Sequence, residues 1–435
     1  MYKAYCGFLL LVALMMTAAP VQARLIIEIT GGYEAAIPIA VVPFAPAGAE
    51  GQVMQQIDRI LRDDLDRSGR FRVLPEGDLV SRANQPEDVQ FRTWQALGQE
   101  FLLIGRIDSK GLGQYQVEFN LFDTFRKEQL VAYRIPSTVK GLRRTAHRIA
   151  DLVYQEITGQ AGAFSSRIAY VTDSVSEKKG REYRLQVADA DGYNPQTILT
   201  SREPIMSPCW SPDGKRIAYV SFEKNAPSIF VQTLATGARE KVSAYVGLNG
   251  APAWSPDGTR LALTLSKDGS PDIYILDLVS RSLQRLTRSF SIDTEPVWSV
   301  DGSRIIFTSD RGGRPQLYSI SIREKQVQRL TYEGDYNAGA AVSPDGKFLA
   351  MVHGSNGAYR IAVQELATGS LSVLTDGVAD ESPSFALNGS MILYATRFGG
   401  REQLAAVSVD GRVRQRLLTS SGGVREPVWS LKNLD

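Results

Sequence analysis

Histidine, cysteine and net charge are scarce in this chain, and each shortage closes off a class of function. The 435 residues include two histidines and two cysteines. Cys6 falls in a removable leader, so one thiol and two imidazoles remain, too few for a structural zinc site. No G-x-S-x-G elbow, P-loop or G-x-G-x-x-G occurs, which removes the usual hydrolase, phosphate-loop and dinucleotide signatures. Lys plus Arg number 49 against 47 Asp plus Glu, leaving no basic footprint for nucleic acid and no charged tail. Long apolar runs are also missing. Beyond the leader no segment reaches about 18 apolar residues, the length that spans a bilayer.

The leader is residues 1–23. Lys3 supplies a short positive region, Gly7–Ala19 is almost wholly apolar, and Val21-Gln22-Ala23 has the small-x-small pattern of a cleavage site. This reads as a secretory signal removed after Ala23. Cys6 precedes the apolar core, which argues against a lipoprotein anchor, so the mature chain is expected to be soluble and exported. Cys209 then stands alone. It cannot form an internal bridge and is expected to be inert and buried.

What the sequence has in abundance is one turn. PAWSPDGTRLAL (Pro252–Leu263) places Ser-Pro-Asp-Gly between two apolar runs: Pro256 presets φ, Asp257 bonds nearby backbone and Gly258 takes positive φ. The Trp position recurs at Trp210, Trp254, Trp298, Val342, Phe385 and Trp429, at intervals of 44, 44, 44, 43 and 44 residues. A Pro lies two residues before it in every case except Ala340. A Leu-Thr or Val-Ser pair closes each unit at the same interval, as at Leu286-Thr287. Two further short strands lie between the markers. Four short strands per repeat of about 44 residues is the arithmetic of a β-propeller blade, whereas stacked sandwiches need no constant period. The unit at Trp429 has a first strand and nothing after; Arg167–Thr200 has later strands and no first one. The two complement each other, which predicts six blades closed by the C-terminal strand.

Residues 24–160 show no repeat. IPIAVVPF (Ile37–Phe44), FRVLP (Phe71–Pro75), FLLIGRID (Phe101–Asp108), QYQVEFNLFD (Gln114–Asp123) and EQLVAYRIP (Glu128–Pro136) read as strands. Helices are predicted around Val53–Leu65, near Val89–Gly98, and over Leu142–Ile157 up to Gly159. The expected fold class is an α+β N-terminal domain over 24–160 followed by an all-β six-bladed β-propeller over 161–435, linked through Gly159–Ser166.

Candidate chemistry is thin. His147 lies within the last helix and His353 opens a Gly-rich stretch, HGSNG, where a plain surface role is expected. Asp189-x-Asp191-Gly192-x-Asn194 faintly resembles a calcium loop but lacks the closing Glu, so it reads as a hairpin turn. Five residues before each Trp position stand Ile205, Asn249, Asp293, Asn337, Asp380 and Val424, with Thr294 and Glu295 adjoining. Two readings stand side by side: Asx residues favour turns anywhere, or they form a polar rim around a docking pit at the channel mouth.

Together the leader, the small α+β region, the junction TGQAGAFSSRIAYVT (Thr158–Thr172) and six WSPDG-type repeats resemble the TolB family, periplasmic proteins of the Tol-Pal system of Gram-negative envelopes. NGAPAWSPDG (Asn249–Gly258), TEPVW (Thr294–Trp298), DRGGRPQLY (Asp310–Tyr318) and the IPIAVVPF strand carry the resemblance. It implies a non-enzymatic adaptor without cofactor or metal, a monomer that meets membranes only through its partners. Its propeller mouth, at Asn249, Ala251, Asp293, Thr294, Glu295 and Asn337, would bind the outer-membrane lipoprotein Pal. Its N-terminal segment, at Arg24, Leu25, Ile26, Ile27, Glu28 and Ile29, would bind TolA of the inner membrane. Such an adaptor supports outer-membrane integrity and envelope constriction at division, and colicin translocation domains are candidate further partners. A propeller-bearing serine peptidase is the alternative from another class and would need roughly 200 further residues of hydrolase domain. An ion- or carbohydrate-binding propeller is the third.

The segment RLIIEITGG (Arg24–Gly32) is β-prone, with a Gly pair able to hinge. It is expected either as an edge strand of the α+β domain or as a mobile strand that adds to a sheet edge of TolA, and exchange between a docked and a released state accommodates both.

Overall fold

The structure, a computed structural model, describes residues 26–30, 36–47, 51–176, 180–418 and 422–432. The segment 1–23 expected as a leader, Arg24, Leu25 and the Gly31-Gly32 pair lie outside these residues.

Ile37–Val41 is the seed of the first sheet. It runs parallel to Phe71–Val73 on one side and to the start of Phe101–Gly111 on the other. Parallel pairs need a crossover, and helix α1 (Gly51–Arg67) supplies the one between Ile37–Val41 and Phe71–Val73. Gln114–Asp123 and Glu128–Thr138 extend the sheet antiparallel, and Ala45–Ala47 pairs beside Phe101–Gly111. Helix α2 is Phe91–Ala96, and its Trp94 is buried against Ala40, Leu102 and Ile104 on one face. It is shorter than the sequence predicts because a 3-10 turn at Pro86–Asp88 precedes it and Gly98, at φ 67°, breaks the helical run. Helix α3 (Leu142–Thr158) and α1 cover the other face, with Ile57, Leu61, Leu65, Ala146, Ile149 and Val153 all fully buried. Gly159 ends α3 at φ 72°, donating its N–H to Gln155 O at 2.8 Å.

Six sheets then form the propeller. Their inner strands are Ile205–Trp210, Asn249–Trp254, Asp293–Trp298, Tyr336–Val342, Glu381–Phe385 and Gly423–Trp429. The last of these pairs antiparallel with Arg167–Ser176, so blade 1 takes its inner strand from the far end of the chain and the ring closes. Arg167 N donates to Ser430 Oγ at 3.0 Å and Trp429 Nε1 to Ser166 Oγ at 2.7 Å, which fastens the closure. The four tryptophans of the repeat are buried between blades. Trp298 Nε1 reaches back to Ala253 O at 3.0 Å and Trp210 Nε1 to Val428 O at 3.2 Å. The guanidinium of Arg216 covers the Trp254 ring at 4.5 Å and that of Arg260 covers Trp298 at 4.8 Å. Trp210, Trp254 and Trp298 thus join burial to a contact with the preceding blade.

The recurring turn works as its residues predict. Ser255 Oγ donates to Asp257 Oδ1 at 2.5 Å and accepts from Arg260 N at 2.9 Å, and Gly258 sits at φ 70°. The Ser255 bond, with a second from Thr259 N at 3.0 Å, holds the Asp257 carboxyl down at about 2. The turns share one end of the ring with the hairpins joining third to fourth strands. The α+β region and its linker dock on this turn end, where Asn388 Nδ2 donates to Ala161 O of the linker at 2.9 Å and the Gln415 side chain to Arg67 O of α1.

Ile26–Thr30 corrects the edge-strand expectation. It does not join the α+β sheet. It lies antiparallel along Arg414–Leu418, the outer strand of blade 6, with Ile26 opposite Leu418 and Thr30 opposite Arg414. A blade's outer strand is an open edge with unpaired backbone donors and acceptors, and the early segment takes that place as a fifth strand.

Candidate functional site

Every inner strand is broken at the same point. Ser207, Ala251, Glu295, Gly339, Ser382 and Glu426 lie three residues before the Trp position and have φ of 49°, 44°, 53°, 62°, 55° and 50°. Each is followed by Pro, except that Ala340 follows Gly339, and the ladder shifts register across each. The shift is a β-bulge, which re-aims the strand and frees backbone groups. At two bulges the freed N–H is taken up by a carboxylate: Gly339 N donates to Glu295 Oε2 at 2.9 Å, and Ser207 N donates to Glu426 Oε2. Burial pushes the Glu426 carboxyl up to about 7 despite that bond, with Glu381 and Glu295 adding to the effect. All six bulge residues line a central channel of about 540 Å³.

The polar positions expected at the channel mouth divide. Ala251, Thr294 and Glu295 have exposed surface, whereas Asn249, Asp293 and Asn337 are fully buried. Asn249 and Asp293 open their inner strands, Asn337 stands second in its own, and all three bind inward. Asn249 Oδ1 accepts from Ser243 Oγ at 2.7 Å and Tyr245 N at 2.9 Å, which folds the preceding loop. Arg311 clamps Asp293 with bonds of 2.8 and 2.9 Å. Asn337 donates to Gln316 Oε1 at 2.9 Å and accepts from His353 Nδ1 at 2.9 Å. Asp380 accepts from Thr375 and Thr396, both at 2.5 Å. These four shape the loops that a partner could touch and do not themselves form a rim.

Those loops, at the end of the ring opposite the turns, present what sequence reasoning passed over. Val246, Phe290, Ile292, Tyr332 and Val378 are strongly exposed, and Tyr245 and Leu248 beside them are partly so. They come from the connections between fourth and inner strands of neighbouring blades. Large apolar side chains gathered at one end of a ring mark an interaction surface. A signal was available in the sequence, since AYVGLN and SFSID place apolar residues where a solvated loop would be polar.

Both histidines are buried. His147 is buried in α3, its Nδ1 2.6 Å from Asp64 Oδ2. His353 corrects the surface expectation: it lies inside strand Phe348–Ser355 and is buried, because the turn of HGSNG falls later, at Asn356-Gly357. Burial lowers its pKa. Asp189–Asn194 is a hairpin turn, with Gly192 N donating to Asp189 O at 2.7 Å. Cys209 packs against the cluster around Trp254, and burial pushes its thiol up to about 12, so no thiolate is available.

Comparison with known proteins follows the same division of the chain. Residues 25–130 match the family described as the TolB amino-terminal domain, and residues 154–433 match the TolB beta propeller domain. The chain belongs to the TolB family. It is 55% identical over 418 residues to the "Tol-Pal system protein TolB" of Xanthomonas oryzae pv. oryzae, covering 96% of this chain and 95% of that one. The TolB of Xanthomonas campestris pv. campestris gives the same figures, 55% identity over 96% and 95%. The crystal structure of TolB from Acinetobacter baumannii superposes with a TM-score of 0.86 at 41% identity, covering 94% of this chain and all of that one. TolB membership places the chain in the Tol-Pal system as a non-catalytic component, and the peptidase alternative falls with it.

Proposed function

We propose that the chain is a periplasmic adaptor exported by its N-terminal signal, binding Pal through the loop end of the propeller and TolA through Arg24–Ile29. Through these contacts it supports outer-membrane integrity and constriction at division. The observation that carries this reading is the pairing of Ile26–Thr30 with blade 6. A five-residue strand on an open edge is held mainly by backbone bonds, and such bonds can be traded for those of another sheet edge. Docking on blade 6 occupies one edge of this strand, and release from the blade frees that edge as well for TolA. For Pal, support comes from the exposed loop-end residues and from Ala251 and Thr294 beside them. Rigid strands on both sides of each loop keep this surface preformed, which limits the entropy lost on binding.

Calorimetry with purified Pal and TolA tests both contacts. Removing Arg24–Gly32 abolishes TolA binding and spares Pal, and Ile27→Pro mimics the loss by deleting a backbone donor. Ala251→Arg abolishes Pal binding with unaltered melting. TolA capture at full strength by the truncated chain, or Pal binding within about twofold in Ala251→Arg, a change under roughly 0.5 kcal/mol, rejects the corresponding site.

A further inference from the structure

The covered end of the ring contains a charge cluster for which the adaptor reading has no use. Helix α1 contributes Asp64 and Arg67, α3 contributes Arg143 and His147, and the hairpin of blade 1 contributes Asp189 and Asp191. Arg143 donates to Asp189 Oδ2 at 2.9 Å and to Asp191, with its guanidinium 3.9 Å from the Tyr193 ring centre. Arg67 lies 2.7 Å from Asp64 Oδ1 and 3.8 Å from Asp191 Oδ2. His147, 2% exposed, sits among them. Its Nδ1 is 2.6 Å from Asp64 Oδ2, while its Nε2 is buried without a hydrogen-bond partner among the described residues. A ring nitrogen and carboxylate oxygens of Asp189 and Asp191 all lie within 4.8 Å of one another.

Neutral His147, donating through Nδ1 to Asp64, keeps a bare, buried lone pair on Nε2 in a cluster that holds the Asp189 and Asp191 carboxylates. The imidazolium carries an N–H and a positive charge there instead. Charge counting favours the proton. Asp64, Asp189 and Asp191 bring three negative charges, Arg67 and Arg143 two positive ones, and the imidazolium makes the sum zero. A divalent metal would leave a surplus positive charge and compete with both arginines for the same oxygens.

We propose that His147 is a proton-operated latch between the α+β region and the propeller, closed by its imidazolium and loosened by its neutral form. Burial opposes the charge, but Asp64 and then Asp191 outweigh it, against Arg67, and the His147 pKa is raised above its ordinary value. Asp151, one turn along α3, points away to the N–H groups of Phe164 and Ser165. Asp191 is held down at about 2 and stays ionised throughout the relevant range. A raised folded pKa stabilises fully below the unfolded value of about 6.5, and that stability fades as pH rises through the folded pKa. The latch is therefore closed on the acid side and loosens on the alkaline side. Its reach extends to blade 6, because Arg67 O accepts from Gln415, which lies opposite Ile29 of the docked strand.

The chain has two histidines, so proton NMR of the mature protein shows two titrating rings, and His353→Gln assigns them. His147 titrates above about 6.5. Amides of the Asp189–Tyr193 hairpin and of α3, corrected for chemical exchange, lose protection by about tenfold per unit of separation between folded and unfolded pKa once pH passes that point. His147→Gln removes the step. Asp191→Asn lowers the His147 pKa and moves the step to lower pH, and it carries the test if His147→Gln fails to fold. Titration of His147 at or below 6.5, an unchanged step in His147→Gln, or disappearance of the step on adding EDTA each overturns the latch.

Discussion

The two ends of the propeller come from the same repeat and are built for opposite purposes. At the turn end each Ser-Pro-Asp-Gly spends its polar groups on itself, and the α+β region is fastened there by Arg143, Arg67 and Asn388. At the loop end the polar groups are also spent inward, by Asn249, Asp293, Asn337 and Asp380, but the apolar side chains between them are left outside. Polarity where the chain enters an inner strand therefore does not advertise a polar surface. It organises a loop whose exposed face is greasy.

The comparison can be broken outright by opening the ring. Deleting Arg425–Asp435 removes the inner strand of blade 1 and disorders both ends; Trp429→Ala alone lowers stability by about 3–5 kcal/mol. Calorimetric melting reads both, and an unchanged midpoint in the truncated chain defeats closure. A smaller change separates the ends. Arg143→Ala leaves Asp189 and Asp191 facing each other and lowers stability by about 2 kcal/mol, while Pal affinity is unchanged. Chemical denaturation beside a Pal titration checks the pair of outcomes. The smallest change in stability, and the sharpest contrast, comes from Phe290→Ser with Tyr332→Ser. Both side chains are exposed, so melting moves by about 0.5 kcal/mol or less, yet Pal affinity falls at least about tenfold, or 1.4 kcal/mol. If that double variant melts early and binds normally, the loop end is structural.

Much of the fold was legible because the signal is local. A turn whose Ser, Asp and Gly satisfy one another needs no distant partner, so its recurrence at 44-residue intervals marks the blades directly. Helix α3 was legible for the same reason, its apolar stripe and Gly159 stop being adjacent in sequence. The site was less so. Whether Asn249 or Asp293 faces solvent depends on Ser243 and Arg311, which belong to the outer strand of the preceding blade and the following hairpin. The left-handed bulges were invisible because Ala, Glu and Ser do not announce positive φ. The seat of Ile26–Thr30 left no pattern at all, since backbone pairing at an edge asks little of side chains. The His147 cluster gathers residues from three segments that share no motif.

Closure of blade 1 also sets an order of assembly. Ser166 and Trp429 are 263 positions apart in the chain and meet only when the last inner strand arrives. Until then blade 1 shows a bare inner edge, the kind of exposed backbone that proteases and chaperones find in incomplete chains. Ile26–Thr30 waits equally long, because its seat on Arg414–Leu418 emerges almost as late. An early segment thus stays unpaired until the outer strand of blade 6 exists, and its docking reports that the chain has reached its sixth blade, one strand short of closure.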